Sequence, residues 1–190
     1  MKFIDLITKN RSYRRFYQDI DITDEDLLKM VEAARLSPSS RNIQPLKYLI
    51  SNNRELNALI YSTLAWAGYL ADWDGPQEGE RPAGYIVQLL DKNISNSYSC
   101  DNGITSQSIL LQAVELGYGG CIIASVKRET LSRILELPDN LEIINVIALG
   151  KPKEHIVIDP IVDNEYKYWR DAKQTHHVPK RSLEDIVIKK

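Results

Sequence analysis

The chain has 190 residues, 43% hydrophobic and 26% charged, which suits one domain with a real core. Its formal net charge of -2 gives no general pull toward nucleic acid or acidic lipid. No apolar run approaches a membrane span, and Met1-Lys2-Phe3-Ile4-Asp5 lacks a signal-peptide core, so a cytoplasmic location is the expectation.

Residues 2–10 read as a short helix with Phe3, Leu6 and Ile7 on one face. Arg11-Ser12-Tyr13-Arg14-Arg15 follows. Guanidiniums and a hydroxyl so close together can grip a phosphomonoester. The same cluster also reads as a solvated basic face or a nucleic-acid tail, and the acidic balance of the chain argues against the tail. Thr23 and Asp26 form a variant capping box, with Asp24 and Glu25 favoured at a helix start. Leu27, Met30, Val31 and Ala34 then recur at helical spacing, ending near Leu36. The loop Ser37-Pro38-Ser39-Ser40-Arg41-Asn42-Ile43-Gln44-Pro45 comes next. Its prolines bias Ser37 and Gln44 away from helix. It is stiff and polar, with Arg41 its only charge, and suits a flat hydrogen-bonding heterocycle. It also reads as a plain helix-ending turn with serine caps.

Residues 46–50 are expected as a strand, 51–53 as a turn and 54–70 as a helix through Leu56, Leu59, Ile60 and Leu64. Breakers across 71–83 make a loop. Trp66, Tyr69 and Trp73 beside it read either as core or as a mobile wall over a ligand. Residues 84–90 form a buried strand, 91–100 a polar connection, and 101–116 a long helix stopped by Gly117-Tyr118-Gly119-Gly120. Residues 121–124 enter a strand. Ser125 is expected to cap a helix at 127–136. Residues 141–149 form another strand, closed by Gly150-Lys151-Pro152. Strands and helices mix without strict alternation, which argues for α+β around one sheet. Residues 1–150 read as the core and 151–190 as an extension, its short apolar pieces separated by charge. Such a tail needs a surface, on its own subunit or on a partner.

The Arg11-Ser12-Tyr13-Arg14-Arg15-Phe16 segment and the complete Ser-Pro-Ser-Ser-x-Asn-x-Gln-Pro run together resemble the nitroreductase-like family of FMN-dependent oxidoreductases. The resemblance covers nearly the whole chain. It implies a central, mostly antiparallel sheet flanked by helices, and a homodimer with FMN between subunits and C-terminal arms exchanged. It implies Arg11 and Ser12 as phosphate ligands, and Arg14 at the flavin pyrimidine edge. Pro38, Ser39, Ser40 and Asn42 would line the isoalloxazine or ribityl chain. Ile123 and Ala124 would lie on the strand that approaches flavin N5, and Lys180 and Arg181 would form a terminal basic pair reaching the phosphate. Asn10 departs from the family, many of whose members have a basic residue there. The implied chemistry is hydride transfer from NADH or NADPH through the flavin to a small-molecule acceptor such as a nitroaromatic, a quinone or a free flavin, with ping-pong kinetics. The chemistry belongs to the cofactor, so no catalytic side chain is assigned.

The sequence also supports other readings. A specialised branch of the same fold would dehalogenate an aromatic substrate or fragment the flavin itself. A flavin-binding module would turn over little. A phosphate-binding protein would use the 11–15 cluster without a chromophore. His155, His176 and His177 complete no metal spacing and read as structural or surface residues. Cys121 sits in an apolar run and reads as core. No G-x-S-x-G elbow accompanies the serines. Tyr166, Tyr168, Trp169 and Arg170 read first as interface packing and second as substrate contacts.

Overall fold

A computed structural model describes residues 2–189. Helix α1 (Phe3–Lys9) buries none of its side chains and leaves Phe3 and Ile4 exposed. Strand β1 (Phe16–Tyr17) leads to α2 (Asp24–Arg35), whose first turn is capped by the Thr23 side chain accepting from Asp26 N at 3.1 Å. Leu27, Met30 and Ala34 form its buried face, at the spacing read from the sequence. A 3-10 turn at Ser40–Asn42 precedes β2 (Leu46–Ser51) and α3 (Arg54–Tyr61). Then come β3 (Gly84–Asp91), α4 (Asp101–Glu115), β4 (Gly119–Ile123), α5 (Arg128–Ile134) and β5 (Leu141–Pro152). The extension supplies β6 (Ile156–Pro160), β7 (Trp169–Arg170), β8 (His176–Lys180) and α6 (Leu183–Ile186).

The central sheet pairs β2 with β3, β3 with β5, and β5 with both β4 and β1, every ladder antiparallel. Alternation along the central strands sends side chains to two cores. Tyr85, Val87 and Leu89 of β3 join Val146 and Ala148 of β5 under α3 and α5. Ile86, Ile147 and Leu149 face the other way, under α2 and α4. The chain is therefore α+β, with a helical layer on each face of one antiparallel sheet. A buried polar ladder ties α4 to the sheet: Asn145 Nδ2 donates to Gln88 Oε1 at 2.9 Å, and Gln88 Nε2 donates to Thr105 Oγ1 at 2.7 Å.

Three local expectations are corrected. The helix expected over 54–70 ends at Tyr61. Ser62 and Thr63 turn their hydroxyls back onto the carbonyls of Leu59 and Ile60. Leu64 then bridges Val126, and Ala65 N donates to Ser125 O, so tertiary pairing overrides helical periodicity. Ser125 does not cap α5; Lys127 stands at that position, with its own N–H donating to Thr63 O. Gly150-Lys151-Pro152 does not close β5, because β1 pairs with Lys151 and Pro152 and prolongs it.

Residues 154–180 dock on their own chain. β6 runs parallel to β8 and β7 antiparallel to it. Arg170 lies 4.2 Å over the Trp73 ring, and Tyr168 lies 5.0 Å from Tyr69. Beyond this small sheet the chain loses cover: Leu183 is 74% exposed and Ile188 89%.

The 77–83 loop is pinned by Glu80, which receives Arg15 Nε at 2.6 Å and Lys153 Nζ at 2.9 Å. The Arg15 bonds above all hold the Glu80 carboxyl down to about 2. A carboxyl depressed in the folded state contributes stability above its unfolded pKa and loses it as pH falls toward the folded one. About 1–2 kcal/mol of stability is therefore expected to disappear between about pH 4.5 and pH 2, allowing for partial solvent contact. Urea unfolding of Glu80→Gln against the parent checks this: the gap between them should close over that window. A gap that stays constant with pH would rule out the ion pair as its source.

Candidate functional site

Segment 11–17 is laced into the fold by its backbone. Ser12 bridges Gly120, and Tyr13 N donates to Gly120 O at 3.1 Å. Gly119 leaves room for Tyr13, and Gly120 for the neighbouring strand β5. A Cβ at Gly119 would lie 2.6 Å from Tyr13 Cδ2, and one at Gly120 would lie 2.3 Å from Ala148 O. Arg14 N donates to Glu154 Oε2 at 2.9 Å, and Lys153 N donates to Arg15 O at 3.0 Å. The backbone thus fixes where each basic side chain begins.

Those side chains separate. Arg11 donates Nε to Asn10 O at 2.6 Å and Nη2 to Ile7 O at 2.9 Å, which places its charge at the carboxyl end of α1. Arg15 is taken by Glu80. Arg14 Nη1 donates to Ser12 O at 3.2 Å, and its guanidinium lies 4.8 Å over the Tyr168 ring.

Arg11, Ser12 and Arg14 form one wall of a cleft of about 330 Å³, with Gln107 of α4, Ile122 of β4 and Lys180 of β8 around it. Tyr168 and His176 close its side. Three cations line this cleft, and among the described lining residues there is no acid. Asn10 is buried and donates to Gln107 Oε1 at 3.2 Å, so it braces the wall as a neutral polar group. The cleft continues past Arg14, Ile122 and Tyr168 into a groove of about 200 Å³ along the backbone of 121–125, walled opposite by residues 65–68. A cationic, acid-free pocket opening onto a strand and a half-buried aromatic fits a phosphate joined to a flat ring system, as in FMN.

The residues expected at the site from sequence divide in two. Arg11, Ser12, Arg14, Ala124 and Lys180 border this continuous cavity. Ile123 borders it through β4 while its side chain lies in the core, and Ile122 is the residue exposed toward the cleft. Arg181 points away and donates to Asn164 Oδ1 at 3.3 Å. The 38–44 loop is elsewhere. Ser39 Oγ donates to Asp101 Oδ2 at 2.6 Å, and Ser40 N donates to Asp101 Oδ1 at 2.8 Å. Arg41, Asn42 and Gln44 have positive φ. The loop edges a larger groove, about 710 Å³ between α2 and β2, which shares no residue with the cationic cleft. That groove has Leu28, Val31, Leu46 and Tyr48 in its walls, and of its cations Lys29 and Arg35 are paired with Glu25 and Glu32, which leaves Lys47 beside Asp101 and makes it a poorer phosphate site than the acid-free cleft.

Behind the cleft sits a charged cluster that sequence reasoning missed. Glu154 has no side-chain exposure and accepts from Arg170 Nη2 at 2.5 Å. His176 is 1% exposed, with Nε2 3.5 Å from Arg14 Nη1 and Nδ1 4.0 Å from Glu154 Oε1. Burial above all pulls its imidazole pKa down to about 4, so the ring is neutral near pH 7. Cys121 is buried at the head of the groove, and burial pushes its thiol up to about 12, which leaves it a protonated core residue.

The Nitroreductase family profile matches residues 7–83, covering the basic segment and the 37–45 loop together. Over those residues the chain is similar to the Nitroreductase family. A nitroreductase family protein from Clostridium novyi NT is 26% identical, with a TM-score of 0.66, covering 80% of this chain and 88% of that one. In sequence, the chain is 28% identical over 159 residues to an Archaeoglobus fulgidus protein named "Putative NADH dehydrogenase/NAD(P)H nitroreductase", covering 80% of this chain and 86% of the relative. An "FMN-dependent Nitroreductase" from Clostridium difficile R20291 shares the fold at 22% identity, with a TM-score of 0.65 over 90% of this chain and 99% of that one.

Proposed function

We propose that this nitroreductase-like chain is an NAD(P)H-dependent FMN oxidoreductase. The acid-free cleft that gathers Arg11, Arg14 and Lys180 on a nitroreductase fold carries this reading. Arg11, Ser12 and Lys180 would hold the phosphate. Ile123 and Ala124 would offer the β4 main chain to the ring, and Ile122 its side chain. When bound, FMN supplies two-electron chemistry, accepting hydride from NADH or NADPH and passing it to an acceptor such as a nitroaromatic or quinone.

The chain's own groups bind, orient and polarise. Arg14 brings a positive charge whose attraction grows as negative charge accumulates on the ring system. Tyr168 orients that charge from below. Cys121, protonated and buried, takes no part as a nucleophile. One cavity would receive donor and acceptor in turn, so double-reciprocal plots at several acceptor concentrations are expected to run parallel.

The protein acts in this reading as a cytoplasmic homodimer. Among the described residues, no helix is long and apolar enough to cross a membrane. Pro38, Ser39, Ser40 and Asn42 would complete the cleft of a second copy, since in their own chain they stand apart from it. The exposed Phe3, Ile4, Leu183, Ile186 and Ile188 give such a dimer apolar surface to cover. The 151–190 extension would then contribute at its far end to the partner.

The test is a visible spectrum of the purified protein after addition of FMN, before and after anaerobic NADH or NADPH. One flavin per chain that bleaches within seconds is expected, from a particle of twice the chain mass by light scattering. Bound flavin that does not bleach would favour a binding module with little turnover. Failure to bind FMN would overturn the reading.

A further inference from the structure

We propose that His176 is a positioning residue that holds the Arg14 guanidinium at the cleft and keeps it apart from the buried Glu154 carboxylate. The inference rests on the FMN reading of the cleft and adds to it a residue from the far end of the chain.

The geometry is specific. His176 sits on β8 with its ring 5.2 Å from the Tyr168 ring, and both rings back the cleft. A guanidinium has donors and no acceptor. The 3.5 Å approach of Arg14 Nη1 to His176 Nε2 is therefore a hydrogen bond only if Nε2 carries no proton. Burial keeps the imidazole neutral, so its one proton rests on Nδ1. That nitrogen is buried, has no hydrogen-bond partner among the described residues, and faces Glu154 Oε1 at 4.0 Å. The carboxylate attracts the N–H dipole and selects this tautomer, which leaves Nε2 bare for Arg14.

The imidazole thus lies between a cation and a buried anion. Arg14 N is already bonded to Glu154 Oε2, so carboxylate and guanidinium belong to neighbouring space. Arg170 takes Glu154 Oε1 on another side. Put an apolar side chain in place of the imidazole and Arg14 Nη1 loses its acceptor on that side. The guanidinium, no longer tethered, gains by turning from the cleft toward the Glu154 carboxylate, whose attraction in that low-dielectric setting outweighs the Ser12 carbonyl and the Tyr168 face. It then withdraws from the ligand it should polarise.

The experiment uses the full chain as parent, His176→Leu and His176→Gln, each titrated with FMN and then poised electrochemically. Leucine fills space and offers no acceptor, whereas glutamine keeps a carbonyl acceptor for Arg14 and does not titrate. In His176→Leu the preference for reduced over oxidised FMN should fall about tenfold, a midpoint about 30 mV more negative for a two-electron couple. His176→Gln should stay within about twofold of the parent. Proton–nitrogen correlation spectra of the flavin-free parent should show the His176 proton on Nδ1 at pH 7, a readout independent of either variant's folding. A parent that takes up no FMN sinks the cleft assignment itself. A parent that binds FMN, with equal midpoints in all three proteins, sinks the His176 role alone. A proton found on Nε2 would do the same.

Discussion

Glu154→Ala is expected to cost about 3–5 kcal/mol of folding stability, the usual result of removing one partner from a buried ion pair. The carboxylate has no solvent contact and serves three groups: Arg170 Nη2 at 2.5 Å, Arg14 N at 2.9 Å and, across 4.0 Å, His176 Nδ1. Alanine leaves the Arg170 guanidinium charged in a position that is 8% exposed, with its Nε already without a partner among the described residues. Glu154→Gln should fall between parent and alanine, because its carbonyl can still accept from Arg14 N while the charge attraction is gone. The double variant Glu154→Leu with Arg170→Met should recover much of the loss, since an apolar pair of similar volume has no charge to bury. Urea unfolding at constant m-value measures all three. Alanine within about 0.5 kcal/mol of the parent would mean that the cluster does not hold the extension down.

The cluster also shows what could be read along the chain and what could not. The Thr23 cap and the Leu27, Met30 and Ala34 face are set by neighbours within a turn or two, so they are visible in sequence. The Arg11-Ser12-Arg14 constellation is visible for the same reason: its chemistry lies in adjacent residues. Arg14 and His176 are 162 positions apart, and Arg14 and Glu154 are 140 apart. Their roles arise only from burial and contact, which a linear reading does not contain. His176 therefore read as one more structural or surface histidine, and Glu154 drew no notice. Strand register hides a further detail. Ile122 and Ile123 are equally apolar, and only the pairing of β4 with β5 decides that Ile122 faces the cleft and Ile123 the core. The helix expected through residue 70 fails for a related reason, because Leu64 belongs to a bridge with Val126 that local periodicity cannot announce. The Gly119-Gly120 pair was legible as punctuation, but not as room for Tyr13 at Gly119 and for the Ala148 carbonyl at Gly120.

Arg11→Ala and Lys180→Ala are each expected to weaken FMN binding about 10- to 100-fold, and together about 100-fold or more, because hydrogen bonds to a charged group contribute about 1.5–3 kcal/mol. The two side chains reach the cleft from opposite ends of the sequence, one beside α1 and one at the end of β8, so they approach the proposed phosphate site independently. Their losses should nearly add if both touch phosphate and should fall short if one only supports the other. Arg11 carries an extra function, since its Nε and Nη2 already serve the α1 carboxyl end. Arg11→Ala therefore also frays α1, and FMN affinity alone would not separate the two effects. Riboflavin separates them, because it keeps the ring system and the ribityl chain and lacks the phosphate. A variant that has lost only a phosphate contact should bind riboflavin as the parent does. One whose cleft has come apart should lose both ligands. The salt dependence gives a second handle: FMN binding by the parent should weaken as ionic strength rises, and the double variant should respond much less. If Arg11→Ala and Lys180→Ala left the ratio of FMN to riboflavin affinity unchanged, the cationic cleft would not be a phosphate site. The absence of acids from its described walls would then need another explanation.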